Sequence, residues 1–226
     1  MTAEFTLILF DCDGTLVDSQ HSIAGAMAEA FLACELPPPE PAAVRHVVGL
    51  SLDESVRQLA PALSPDVVAA VVSGYRQAFA RLYAADPARD PLYPGAREAV
   101  AGLHAAGRRL GIATGKSRGG VSTVLRGHDL LHCFATLQTP DDNPGKPHPG
   151  MIESAIAATG ALAAETCLIG DSIYDMQMAA NAGVTAIGVD WGYHPASDLR
   201  AAGAEHVLSR FADLPILLAA MPEGRR

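Results

Sequence analysis

Two stretches of this chain place carboxylates where an apolar run stops. Leu7-Ile-Leu-Phe10 leads into Asp11-Cys-Asp-Gly-Thr15, and Cys167-Leu-Ile-Gly170 leads into Asp171-Ser-Ile-Tyr-Asp175. Acids two residues apart suit metal binding, or nucleophilic attack with an acid/base neighbour. The amides of Gly14 and Thr15, which follow the pair, can form an anion-binding turn. Taken singly, each stretch also reads as local chemistry: an Asp-Gly turn, and a helix cap followed by a first-turn acid. Four acids sharing one crevice are another matter, because like charges raise one another's pKa unless a cation joins them. Mg2+ suits that need, since it takes hard oxygen ligands and leaves places for water and phosphate oxygens.

A third apolar run, Leu110-Gly-Ile-Ala113, ends in Thr114-Gly-Lys-Ser117. Of the 16 basic residues only Lys116 and Lys146 are lysines. Lys146 sits in Asn143-Pro-Gly-Lys-Pro-His-Pro149, a loop stiffened by three prolines, where an ammonium held in place would serve an anionic substrate. Two motifs are rejected. Gly111-Ile-Ala-Thr-Gly-Lys-Ser117 has three residues between its glycines where a P-loop needs four. His128-Asp-Leu-Leu-His132 has the spacing of a zinc helix, but Gly127 beside it ends a helix.

These groups need elements to hold them. Apolar runs at 7–10, 109–113, 134–137, 167–169, 184–189 and 206–208 alternate with helix-period stretches at 95–106, 150–159, 174–182 and 210–220. Strand alternating with helix predicts an α/β fold with a doubly wound parallel sheet, and ligands of such sheets bind beyond the carboxyl ends of the strands. Asp11, Thr114 and Asp171 converge there if their strands are neighbours. Residues 17–90 interrupt the alternation with helical pattern, which predicts an inserted helical cap (17–90) on a core of 1–16 and 91–226. Ile23, Met27 and Phe31, then Val67, Val71, Tyr75 and Phe79, recur at helical spacing and are expected to be packing. Ser64-Pro65 marks a helix start, Ser51-Leu-Asp-Glu54 fits a capping box, and the proline-rich 86–95 returns the chain to the core.

The formal net charge of -9 argues against a nucleic-acid partner. No run of 18 apolar residues is present to span a membrane, and the N-terminus lacks the basic start of a signal peptide, so a cytoplasmic protein is expected. Four scattered cysteines without C-x-x-C spacing are expected to be free, buried thiols.

In order along the chain, Asp11-Cys-Asp-Gly-Thr-Leu-Val-Asp-Ser19, Thr114, Lys146 and Gly170-Asp-Ser-Ile-Tyr-Asp175 resemble the haloacid-dehalogenase-like phosphatases, most of all the phosphoglycolate-phosphatase group with a helical cap. The resemblance spans roughly residues 5 to 210. It implies that Asp11 is the nucleophile and a metal ligand. Asp13 would be the general acid/base and lend its backbone carbonyl to the metal. Asp171 would bind Mg2+ directly and Asp175 would lie near it. Thr114 and the Gly115 amide would hold the phosphoryl group, joined by Gly14, Thr15 and Lys116, and Lys146 would neutralise charge on Asp11 and the phosphate. The implied enzyme hydrolyses a small phosphorylated metabolite, phosphoglycolate-like, through an aspartyl-phosphate, as a monomer or homodimer. Arg45 and the Gly49-Leu-Ser51 turn are the cap elements expected to face the substrate, with a solvated charge and a plain N-cap as alternatives. A sugar-phosphate mutase of the β-phosphoglucomutase type shares these motifs. A pyrophosphatase also remains open, and a phospho-Asp receiver domain is a more distant reading.

Overall fold

A computed structural model describes residues 5–221. Along the chain run β1 (Leu7–Phe10), α1 (Gln20–Ala33), α2 (Pro41–Val47), α3 (Leu52–Leu59), α4 (Pro65–Ala85) and α5 (Ala96–Ala105). They are followed by β2 (Arg109–Ala113), α6 (Arg118–Gly127), β3 (Phe134–Gln138), α7 (Gly150–Thr159) and β4 (Thr166–Gly170). The last elements are α8 (Ile173–Ala182), β5 (Thr185–Val189), α9 (Ala196–Ala201), β6 (His206–Leu208) and α10 (Leu214–Ala220).

All six strands pair in parallel, in the order β3-β2-β1-β4-β5-β6. Every residue of β1 is buried, as a central parallel strand covered on both faces must be. Successive side chains of a strand point to opposite faces. Ile8 and Phe10 therefore join the apolar cluster that includes Met27, Phe79 and Val124. Leu7 and Leu9 face a second cluster with Met151, Ile152 and Met176. Strand order reverses at β1, which has β2 on one side and β4 on the other, so Asp11 leaves the sheet at its switch point.

Helices α1 to α4 all lie between β1 and β2 in the chain, where the helical insertion was expected. Ser64 precedes Pro65 at the first turn of α4, which the fixed φ of proline favours. Ser51 precedes α3, but its side chain makes no capping bond; instead the Ser55 hydroxyl turns back to the main-chain oxygens of Ser51 and Val47. The reciprocal capping box of this chain is at α8, between Ser172 and Asp175. The helix expected over 210–220 begins as a tighter turn at Phe211–Asp213 and becomes α-helical at Leu214, with Pro215 in its first turn. All four cysteines are free; Cys34 is half-buried and the other three are buried.

The return segment is pinned. The buried Asp90 accepts from the Ser22 hydroxyl at 2.6 Å and from the Tyr83 phenol, and its carbonyl meets His128 Nε2 at 2.8 Å. That contact, just past the end of α6, engages the histidine of the rejected zinc motif. Among the described residues no helix is long and apolar enough to cross a membrane.

Candidate active site

Asp11 directly follows β1, and its N–H donates to Ile169 O on β4 at 2.9 Å. Thr114 and Asp171 leave β2 and β4, the two neighbours of β1, at the same end of the sheet. The three strand ends that the sequence singled out therefore meet in one crevice.

Lys146 enters that crevice fully buried. Its Nζ stands 3.0 Å from Asp11 Oδ1 and 2.7 Å from Asp175 Oδ1. The loop that carries it is tied down by Asn143, bonded to Gln138, Thr139 and Ser154, and by Asn181 Nδ2 donating to Pro147 O at 2.9 Å. Burial would pull the Lys146 ammonium down, but Asp11 and Asp175 outweigh it and hold the group charged, above its ordinary range.

Asp171 and Asp175 are each fixed by their own set of donors. Thr15 Oγ1 donates to Asp171 Oδ1 at 2.8 Å and the Tyr193 N–H to Asp171 Oδ2 at 2.9 Å. Asp175 Oδ2 accepts from the Ser172 N–H at 3.1 Å and the Ser172 hydroxyl at 2.5 Å. Gly14 lets Asp171 come this close. It adopts φ +81°, and a Cβ there would lie 2.2 Å from Asp171 Oδ2.

Oxygens of Asp11, Asp171 and Asp175 lie within 4.8 Å of one another, all three residues buried. Burial pushes the Asp11 carboxyl up to about 7, with Lys146 opposing and Asp175 and Asp13 adding to the rise. Burial, then Asp11 and Asp175, raise Asp171 well above the carboxylate range. One lysine among three buried carboxylates leaves negative charge uncompensated. An all-oxygen, partly prepared donor set with that surplus fits a small divalent cation of the Mg2+ type.

Asp13 has partners of its own. Ser19 donates to its Oδ1, and Lys116 Nζ lies 3.0 Å from its Oδ2. The Lys116 ammonium also sits 4.2 Å from the centre of the Phe79 ring. Both acids border a cavity of about 820 Å³ that runs from Asp11, Asp13, Thr114, Gly115 and Lys116 to the inserted helices.

At Gly115 the core and the insertion nearly touch. A Cβ on Gly115 would be 2.4 Å from Leu50 O, so only glycine admits the Gly49-Leu-Ser51 turn at this distance. That turn lines the cavity, whereas Arg45 does not. Arg45 borders a separate cavity of about 380 Å³ with Asp18, His46 and Tyr193, and its Nη1 donates to Gln20 Oε1 at 3.2 Å. The expectation that Arg45 faces the substrate cavity is therefore corrected. Its position on the short α2 turns it toward the loop after β5, which a local pattern does not reveal.

Three further findings concern roles. The Thr15 hydroxyl donates to Asp171 and orients an acid, which leaves its amide for the anion-binding turn expected from the sequence. The apolar stripes of α1 and α4 do pack, yet Ile23, Met27, Tyr75 and Phe79 also wall the cavity. Ser19 and Tyr193, which hold Asp13 and Asp171, were given no role from sequence; Ser19 falls inside the first acidic motif, but Tyr193 acts through its main chain and leaves no signal.

A family model described as haloacid dehalogenase-like hydrolase matches residues 8–189. The chain belongs to this family. It is similar to "Probable phosphatase IndB" of Dickeya dadantii, 34% identical over 92% of this chain and 91% of the relative. It is also similar to the phosphoglycolate phosphatase of Pectobacterium atrosepticum, 30% identical over 95% of this chain and 94% of the relative. The crystal structure of a hydrolase from Pseudomonas syringae superposes with a TM-score of 0.85 at 27% identity, covering 96% of this chain and 100% of that one. The chain is thus an enzyme of the hydrolase class, and its parallel sheet with flanking helices is the fold of that family.

Proposed function

We propose that this chain is a magnesium-dependent phosphatase of a small phosphorylated metabolite, with Asp11 as nucleophile. The observation that carries the reading is the placement of Asp11: its carboxylate shares Lys146 with Asp175, clusters with Asp171 and Asp175, and borders the large cavity beside Asp13. The names of the two curated relatives agree with a phosphatase.

In the first step an Asp11 carboxylate oxygen attacks phosphorus in line, and the bond to the ester oxygen breaks. Asp13 delivers its proton to that leaving oxygen. In the second step Asp13 takes a proton from water, the water oxygen attacks phosphorus, the bond to Asp11 breaks and inorganic phosphate leaves. Lys116 and Ser19, one on each oxygen of Asp13, keep that carboxyl aimed at the cavity. Thr114, the Gly115 amide and the Gly14 and Thr15 amides hold phosphoryl oxygens, and Lys146 offsets charge on Asp11 and the phosphate as it transfers. Asp11, Asp171 and Asp175 would hold Mg2+, with the Asp13 backbone carbonyl beside them, and the ion would neutralise phosphate charge in transfer.

A mutase needs a second seat for phosphate in the same cavity, and the cations among its lining residues are Lys116, paired with Asp13, and the exposed Arg76. The test is phosphate release from a panel of phosphomonoesters and pyrophosphate, with Mg2+ and with chelator. Release that survives exhaustive chelation would refute the metal assignment. No release from any compound would refute the phosphatase.

A further inference from the structure

One of the two relatives is named for phosphoglycolate, whose alcohol is a two-carbon acid; the cavity beside Asp11 has a larger and more apolar lining than that alcohol needs. At about 820 Å³ it lies in the range of sites for drug-sized ligands, roughly 300–1,000 Å³. Much of its wall is apolar: Ile23 and Met27 from α1, Val47 and Leu50 after them, Tyr75 and Phe79 from α4. Tyr75, Phe79 and Tyr83 recur every fourth residue and stack, with ring centres 5.7 Å and 4.5 Å apart. The row is anchored at its end, where the Tyr83 phenol donates to the buried Asp90. Such a wall is a rigid platform for a planar ring.

The polar groups of the cavity point the same way. Ser55, Thr123 and Asn143 spend their side chains on neighbouring protein groups. Lys116 is paired with Asp13, and Arg76 stands in the exposed part of the wall. Asp53 and Asp141 also line the cavity and are exposed like Arg76, so these three charges stand in solvent and none is a buried anchor for a second anionic group. A carboxylate next to the ester oxygen finds no unpaired buried cation here among the described residues.

Resting on the phosphatase reading above, we infer that the substrate is a phosphomonoester whose alcohol carries an aromatic ring of no net charge, seated against Tyr75 and the side chains of Ile23 and Met27. A nucleobase on a sugar and a pyridine ring share this chemistry, and the arms of the test separate them. The full chain with Mg2+ is assayed for kcat/KM on uridine 5′-monophosphate, pyridoxal 5′-phosphate, 2-phosphoglycolate and glucose 6-phosphate. Equilibrium binding of the same compounds to the Asp11→Asn variant is measured by calorimetry.

A ring-bearing ester should exceed both ringless ones in kcat/KM and in affinity, and whichever ring leads identifies the source. Tyr75→Ala should cut that advantage on the order of tenfold, and Tyr75→Phe should preserve it. Preference for 2-phosphoglycolate or glucose 6-phosphate, with turnover still abolished by Asp11→Asn, would overturn the inference and leave the phosphatase standing. No turnover and no binding of any compound would overturn both.

Discussion

Lys146 Nζ stands 2.7 Å from Asp175 Oδ1, inside the protein and out of reach of solvent. The same nitrogen is 3.0 Å from Asp11, so one ammonium compensates two buried carboxylates. Truncation at Lys146 leaves both without it. Lys146→Met is expected to lower kcat by at least about a hundredfold and to destabilise the magnesium-free fold by about 3–5 kcal/mol, the cost of stranding a buried charge. Phosphate release and urea unfolding check the two halves. Wild-type stability and kcat would show that the lysine compensates nothing.

Gly14 is a tight constraint on the metal-competent acids. Gly14→Ala would place a methyl 2.2 Å from Asp171 Oδ2 on a backbone at φ +81°. Strain of about 1–3 kcal/mol is expected, together with a displaced Asp171. Thermal unfolding with increasing Mg2+ reads both, as a lower midpoint without metal and a smaller rise on adding it. An undiminished rise would mean that Asp171 is not a ligand.

The acids give the fold a pH signature. Asp11 titrates near 3.8 when unfolded and is pushed up to about 7 by burial when folded, and Asp171 shifts the same way. Between these values the folded chain binds more protons than the unfolded one, so stability is full below about pH 4 and falls as pH rises toward 7 for this pair. With chelator, the melting point should therefore decline from pH 5 to 8, less steeply in Asp11→Asn. Mg2+ competes with the same protons, so its stabilising effect should grow over that window. A metal effect that shrinks with pH would contradict the three-acid site.

Arg45 supplies a contrast. It is exposed, its Nη1 donates to Gln20, and it lines a cavity separate from the one beside Asp11. Arg45→Ala is expected to change kcat/KM by no more than about twofold and stability by no more than about 0.5 kcal/mol. A tenfold loss on any turned-over ester would return it to the site.

The catalytic end of the sheet was legible because its signals are local. Three apolar runs that stop at Asp11, Thr114 and Asp171 mark strand ends, and the six apolar runs appear as six parallel strands. That Asp11, Thr114 and Asp171 share one crevice depends on their strands being neighbours, which the sheet order supplies. What stayed hidden depends on how distant segments meet. The second duty of Tyr75 and Phe79 needs α4 to pack on α1 and reach α6 beside the strand ends. The Tyr193 bond to Asp171 needs the loop after β5 to fold back 22 residues onto an acid. Arg45 was misplaced for the same reason, since a short helix with one exposed arginine does not state which neighbour it faces.

Covalent capture at Asp11 tests the account most directly. The full chain with Mg2+ is mixed with p-nitrophenyl phosphate, quenched in acid on the millisecond scale, and its peptides are fragmented in a mass spectrometer. The expected result is a base-labile phosphoryl group on Asp11 and on no other residue, absent from Asp11→Asn together with turnover. A phosphoryl group on another residue, or an Asp11→Asn enzyme that still releases phosphate at the wild-type rate, would contradict it.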